Sequence, residues 1–497
     1  MTHKPVFVSF FPAVFFLAGI LLLPGCSPFR PSARDIDPAP LPVGFTMYSE
    51  KPTAPDRWWE QFGNAELNGF VQQALSANFD IEAAWARLRQ TRATAVQTGA
   101  DKYPTLDGSA GYSHTRAGTD SSTGGRSITT TEEHTLGLSA GYELDLWGRV
   151  AAEASAGELD AQVSREDLNT AAMTVAGEVV SKWIQIQAQR KEKRILTEQI
   201  KANQTYLELI ELRFRNSLAT ALDVYQQRET VAKVKAELPP VESEEQILLH
   251  ELAILLGRPA GSVEVADASL PGLSALPGLG LPSDLLANRP DIRSAGLALR
   301  SADWSVAAAR ANRLPSLSLG LDGQYSGAQV GTIFDNWMFA LAGSVTGPIF
   351  DGGYLKAEVE KARGVVDERL ADYKSAVYTA FKEVEDALIQ EKWQRRYIIA
   401  RRAQLEAAKV NLDEAISRYT QGLEDYLPVL TALLSVQDLE ISEVEDQTDL
   451  LLYRVALYRA LGGSWTDELK PPISTSDSSA TPAPGSPAPV MQTKTNG

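Results

Sequence analysis

Residues 136–149 read LGLSAGYELDLWGR, and the pattern changes within that stretch. Leu136, Leu138, Ala140, Tyr142 and Leu144 alternate with small or polar residues, among them Ser139, Glu143 and Asp145. Strict alternation is the signature of a strand with two different faces. After Gly148-Arg149 the alternation stops. Residues 149–215 contain no proline, Ala, Glu, Gln, Arg and Leu dominate, and apolar positions recur at threes and fours. A strand therefore runs into a helix that would be roughly 100 Å long at about 1.5 Å per residue.

The same switch occurs a second time. Trp337, Phe339, Leu341 and Val345 oppose Ala340, Ala342, Ser344 and Thr346, and a helical pattern follows from Tyr354. Asp80-Ile81 returns as Asp291-Ile292, Leu88-Arg89 as Leu299-Arg300 and Pro104-x-Leu106 as Pro315-x-Leu317, all at an offset of 211. Gly148 and Gly353, Glu178-Val179 and Glu383-Val384, Arg213-Phe214 and Arg418-Tyr419, and Leu256-Gly257 and Leu461-Gly462 match at 205. A constant offset over so many residues means one structural unit used twice. The six-residue change falls between Leu106 and Gly148, so a longer loop is expected there in the first copy.

Each copy is expected to hold two strands and two long helices. The predicted strands cover about 105–115 and 135–146, then 315–325 and 337–347. The predicted helices cover about 149–215 and 220–257, the latter interrupted at Pro239-Pro240, then 354–420 and 424–461. The Ser/Thr/Gly-rich segment 116–134 and the shorter 326–336 read as hairpin loops. Residues 57–262 and 283–465 form the two repeats, joined by a Pro/Leu/Gly-rich linker at 263–282. The tail, 466–497, is rich in Ser, Thr and Pro and cannot build a core.

Strands of about ten residues are long enough to cross a bilayer at a tilt. Tyr103, Tyr112, Tyr142, Trp147, Tyr325, Trp337 and Phe350 gather near their ends, as aromatic residues do at membrane interfaces. A half-buried sheet in a soluble protein shows the same alternation, so the strands alone leave both readings open. Four strands cannot close a barrel, and an open sheet in lipid would leave backbone groups without partners. Two chains would supply eight strands and three would supply twelve. The polar faces carry Asp107, Glu143, Asp145 and Asp322 and favour a water-filled lumen, hence three chains. The helices are too long for a compact domain and must pack lengthwise.

The chain has 497 residues, one cysteine and a formal net charge of −16. That charge argues against nucleic acid, because no basic cluster could neutralise phosphates. Lys4 followed by an apolar run from Val6 to Leu23 reads as a secretory signal over residues 1–25. The run ends in Leu21-Leu22-Leu23-Pro24-Gly25-Cys26, which resembles a bacterial lipobox and implies a covalent lipid such as palmitate on Cys26. Residues 26–56, rich in Pro, Ala and Asp, would then be a tether. The four histidines are scattered, none at metal-ligand spacing, and no phosphate-cradling glycine loop precedes a helix. Neither an enzyme nor a cofactor or metal site is indicated.

Five segments together resemble the outer-membrane factor family, the TolC-like channels, and within it the lipoprotein branch of multidrug efflux. They are Trp58-Trp59-x-x-Phe62-x-x-x-x-Leu67, Tyr142 to Arg149, Arg289-Pro290-Asp291-Ile292-Arg293, Gly347 to Gly353 and Arg418-Tyr419-x-x-Gly422. The resemblance implies a mainly α-helical chain with a membrane β-barrel portion. A homotrimer would carry a twelve-stranded barrel in the outer membrane and a helical tunnel in the periplasm. It also implies a passive exit duct for drugs or other small molecules, opened at its tip by a periplasmic adaptor and an inner-membrane pump. Arg418, Tyr419 and Gly422 would form the gate turn, with Asp425, Leu427 and Thr431 beside it and Arg213, Phe214 and Leu222 in the first copy. Thr431 stands where related channels commonly carry an aspartate. Tyr419 and Leu427 could equally pack between helices. A duct for protein secretion, or a coiled-coil lipoprotein without a pore, are the competing expectations.

Overall fold

The computed structural model describes residues 28–32, 42, 45, 57–120, 126–273, 276–277 and 282–471. The chain begins with α1 (Ala65–Ala77) and α2 (Phe79–Ala100), then β1 (Thr105–Asp120) and β2 (Arg126–Leu144). Two long helices follow, α3 (Arg149–Arg215) and α4 (Ala221–Leu255). The second half repeats the order with α5 (Pro290–Ala311), β3 (Ser316–Gly327), β4 (Asn336–Thr346), α6 (Tyr354–Thr420) and α7 (Tyr426–Leu461). The starts of α2 and α5 differ by 211 and those of α3 and α6 by 205, the same offsets that the sequence shows.

The duplication extends to single hydrogen bonds. In the first copy Asn78 caps α2, accepting from the Asp80 and Ile81 amides, and its own amide donates to the Leu255 carbonyl at 3.0 Å. In the second copy Arg289 stands there and donates to the Ala460 carbonyl at 3.1 Å. Gly257 and Gly462 end the returning helices at φ of 70° and 75°. A Cβ on Gly257 would lie 2.2 Å from the Ala77 carbonyl oxygen, and one on Gly462 would lie 2.4 Å from that of Asn288. Only glycine combines a positive φ with so close a backbone approach. These paired contacts lock the end of each hairpin to the short helices beside it.

The four strands form one antiparallel sheet in the order β1-β2-β3-β4. Paired residues lie on the same face. Asp107, Ser139, Asp322 and Ala340 form one cross-strand row, and Leu106, Ala140, Leu321 and Leu341 form the next, on the opposite face. Gly148 (φ 77°) and Gly353 (φ 91°) turn the chain from strand into long helix. The main apolar core lies in the middle of α3, where α1, α2 and the ends of α4 and α7 converge. There Trp58 stacks on Tyr458 at 5.3 Å and Trp59 meets Trp465 edge-on at 4.9 Å.

Two expectations about the elements need correcting. Most of 116–134, expected as a loop, is strand: β1 and β2 pair from Thr105↔Gly141 out to Asp120↔Arg126. This outer part has polar residues on both faces, so it lacks the alternation that marks a strand, while its backbone ladder continues unchanged. Pro239-Pro240 does not interrupt α4, which runs through both. The residues just before the prolines, Lys235 to Glu237, are exposed, so carbonyls that lose their amide partners can be solvated. Val234 and Val241, on either side, pack on Leu196 and hold the helix in line. Among the described residues no helix is long and apolar enough to cross a membrane. The signal segment, Cys26 and the tail beyond 471 lie outside the described residues.

Candidate functional site

The two helical hairpins end side by side. In the first, Leu218 N–H donates to the Arg213 carbonyl at 2.8 Å; in the second, Leu423 N–H donates to that of Arg418 at 2.9 Å. Both are the six-to-one bond that closes a helix over a left-handed residue. That residue is Ser217 (φ 60°) in one turn and Gly422 (φ 75°) in the other. Thr220 and Asp223 then cap α4 reciprocally at 3.2 and 2.8 Å. Asp425 precedes α7 without a side-chain cap bond.

Arg213 and Tyr419 link the two turns. The Arg213 guanidinium lies 4.4 Å from the Tyr419 ring centroid and reaches the Tyr419 carbonyl at 3.5 Å. Tyr419 packs on Tyr426 at 5.4 Å in a small core with Ile210, Val224 and Val429. Burial raises the Tyr419 phenol above its ordinary range, opposed in part by Arg213. Burial likewise raises that of Tyr426. Arg418 points outward and pairs with Glu414 at 2.7 Å and Glu424 at 4.0 Å. Leu427 is exposed, as are Phe214, Leu218, Leu222 and Leu423. Thr431, one turn beyond Leu427, bonds back to its carbonyl at 3.0 Å. The structure therefore gathers Arg213, Phe214, Leu222, Arg418, Tyr419, Gly422, Asp425, Leu427 and Thr431 at one end of the molecule.

The four acidic positions separate into two groups. Asp107 and Asp322 share a row on the polar face of the sheet. Glu143 lies on that face by register, but Arg149 binds it at 2.7 Å. Asp145 lies past the end of β2 and accepts from the Ala151 amide at 2.8 Å, near the start of α3. A carboxylate at a helix N-terminus is favoured by the unpaired amides there. Asp145 is thus a corner residue. In the second copy Asp351 accepts from the Leu355 and Gly353 amides, which hold its carboxyl below the ordinary range.

One buried polar chain behind the tip was not anticipated. The Tyr426 hydroxyl donates to Gln227 at 2.6 Å, Gln227 donates to the Asn203 carbonyl at 2.9 Å, and Asn203 donates to that of Gln199 at 2.8 Å. Gln199 in turn donates to the Gln437 carbonyl at 3.1 Å. Neutral amides on otherwise apolar helix faces were the available signal. Buried amides such as these must find partners, and here they tie α3, α4 and α7 together.

An open sheet of long strands, corners of glycine and paired long hairpins ending in one tip define a class of membrane channel subunit. The family model described as "Outer membrane efflux protein" matches residues 70–258 and 281–463. The pyoverdine export outer membrane protein OpmQ of Pseudomonas aeruginosa is 34% identical over 446 residues, covering 87% of this chain and 94% of OpmQ. The outer membrane protein OprJ of the same organism is 31% identical over 424 residues, covering 82% and 86%. The solved structure of the outer-membrane channel OprN superposes with a TM-score of 0.81 at 25% identity, covering 88% of this chain and 99% of OprN. The chain belongs to the outer membrane efflux protein family, a family of outer-membrane channels and not of enzymes. It is mostly helical and TolC-like in fold.

Proposed function

We propose that three copies of this chain close into a passive duct: a twelve-stranded barrel in the outer membrane, continuous with a helical tunnel in the periplasm. The observation that carries this reading is the sheet. β1 and β4 are its edges, and the apolar face that includes Trp337, Phe339, Leu341 and Val345 is exposed. In lipid such edges must be paired, and closure is the one arrangement that pairs both. The helices support it. α3 packs against α4 and α7, whereas α6 exposes Ile389, Trp393 and Tyr397 at four-residue spacing along one face.

The exported cargo is a small organic molecule delivered by an inner-membrane pump through a periplasmic adaptor, which supplies the energy. No cofactor takes part. Cys26 carries a covalent lipid. The tip is the gate, with Leu427 and its counterpart Leu222 at the constriction, and Asp107 and Asp322 give the lumen a preference for cations. Planar-bilayer recording of the purified protein tests the duct, with Leu427→Ser expected to lengthen the open time. A protein that never conducts, in parent and variant alike, would rule the duct out. In cells, deletion should sensitise the host to several unrelated small compounds when pump and adaptor are present. Unchanged sensitivity, with a co-encoded protein toxin retained inside, would instead favour protein secretion. Cys26→Ser should abolish incorporation of labelled palmitate.

A further inference from the structure

Inside one chain the two repeats meet where β2 pairs with β3 and α3 packs on α7, and the repeat offsets map these contacts onto residues that one chain leaves exposed. We infer that the seam joining one copy of the chain to the next is a permuted replica of the internal seam, with a register that can be written residue by residue. This inference rests on the trimeric reading above and goes beyond it by assigning the contacts.

The strands supply the first half. Inside the chain β2 pairs with β3 so that Gly141 faces Gly320 and Ala140 faces Leu321. Adding 205 to the β2 residue gives a β4 residue, and subtracting 211 from the β3 residue gives a β1 residue. Gly141↔Gly320 thereby becomes Thr346 against the partner's Ser109, and Ala140↔Leu321 becomes Val345 against the partner's Ala110. The internal pairing also extends one step past β4, where Leu144↔Leu317 maps to Ile349 against the partner's Leu106. Ile349 is completely exposed in the single chain. Face parity checks the result. Alternation places Ser109 on the Asp107 face and Thr346 on the Ala340 face, and these two faces are one. Ala110 and Val345 fall together on the other. A register shifted by one residue would put polar against apolar along the whole seam.

The helices supply the second half independently. The internal seam packs α3 on α7, with Gln199 donating to the Gln437 carbonyl and Lys191 donating to Gln447 at 2.9 Å. An offset of 205 carries α3 to α6 and α7 back to α4. Gln199 becomes Gln404, the same residue type, and Gln437 becomes Ala232, whose carbonyl is an equivalent acceptor. Lys191 becomes Arg396 and Gln447 becomes Glu242, so a lysine–amide contact inside the chain becomes an arginine–carboxylate pair between chains. Arg396, Gln404, Ala232 and Glu242 are all exposed in the single chain. Gln199 also reaches Glu440 at 3.2 Å, and the mapped position, Lys235, again offers a polar partner to Gln404.

Engineered disulfides test the register, because Cys26 is the chain's only cysteine. Facing residues on antiparallel strands have Cα atoms about 4.5–5.5 Å apart, within disulfide reach. The full-length protein carrying Ser109→Cys and Thr346→Cys is oxidised in membranes and run on denaturing gels beside the parent. A ladder reaching trimer is expected, whereas Ser113→Cys with Thr346→Cys should stay monomeric. Crosslinking of the shifted pair, or of neither pair while an amine crosslinker still yields trimer, would overturn the register and leave the trimer standing. Monomer under every crosslinker would overturn both. Within the chain Glu242 also pairs with Lys193 at 3.0 Å. For the helical half, R396E should lower the temperature at which the trimer dissociates in detergent, and R396E combined with E242R, which also parts residue 242 from Lys193, should recover part of the loss. A double variant no better than R396E would refute the mapped helix contact.

Discussion

Ile186 and Leu249 in the first repeat correspond to Glu391 and Arg454 in the second, both pairs at an offset of 205. The first pair belongs to the apolar core. The second is an ion pair at 2.7 Å with both side chains at most 2% exposed. Arg454 is held charged by its hydrogen bonds and charge pairing with Glu391, which outweigh the opposing cost of burial. Arg395 adds a second cation to Glu391 at 2.9 Å. One fold position thus accepts two chemistries. What the unit requires there is volume and satisfied partners, not a particular polarity.

Breaking that equivalence should produce the largest effects. Removing one member of a buried ion pair strands the other charge and costs about 3–5 kcal/mol, whereas replacing both with apolar residues of similar size is often neutral or better. Arg454→Leu or Glu391→Ile alone should therefore lower the thermal unfolding midpoint, the first by less because Arg395 stays on Glu391. The double change, which rewrites the second repeat as the first, should recover most or all of the loss. A double variant as unstable as either single one would mean that the pair does more than fill its site.

The two tips differ in the opposite sense, with the first the more tightly tied. It has a reciprocal cap between Thr220 and Asp223, yet it holds Ser217 in a left-handed conformation. The second has Gly422 at that position and no side-chain cap at Asp425. Thr220→Ala should cost about 1 kcal/mol, and Asp425→Ala close to nothing. Ser217→Gly should relieve strain of about 1–2 kcal/mol, partly offset by a more flexible unfolded chain. Gly422→Ser should cost a similar amount. Protease nicking at each turn reads these changes locally. Equal responses at both tips would remove the asymmetry between them.

Much of this architecture was legible because duplication doubles every signal. The offsets of 211 and 205 predicted where α5 and α6 start once α2 and α3 were placed. Residues such as Asp107 and Asp322 could be assigned one face because strands with one apolar and one polar face alternate. The outer halves of β1 and β2 were hidden because a ladder in water needs no apolar face. Asp145 was misplaced because alternation carries no marker of where a strand stops and a helix cap begins. Arg213 and Tyr419 each stood out by motif, but their contact joins residues 206 apart and depends on how two hairpins pack. The Gln199–Asn203–Gln227–Tyr426 chain left the weakest trace, since an amide on an apolar face looks the same whether or not it finds a partner.

The smallest expected effect concerns acid, and it separates the internal seam from the seam between copies. On α3, Glu192 is partly buried, and desolvation raises its carboxyl above the ordinary range, with Glu445 and Glu237 adding to the shift. A folded-state value above the unfolded value of about 4.3 makes ionisation oppose folding. The stabilising contribution is complete below the unfolded value and is lost as pH rises through the folded one. Glu192→Gln should therefore unfold at a higher temperature than the parent at pH 7, and the difference should shrink to nothing near pH 4. The offset of 205 maps Glu192 to Tyr397 and Glu445 to Pro240, so the proposed seam between copies would have no such pair of carboxylates. Acid should strengthen the contact between repeats without strengthening that between chains. Measured against pH, the unfolding midpoint of the chain should show the Glu192-dependent rise and the detergent dissociation of the trimer should not. A Glu192-dependent shift of the same size in both would show that the two seams are electrostatically alike.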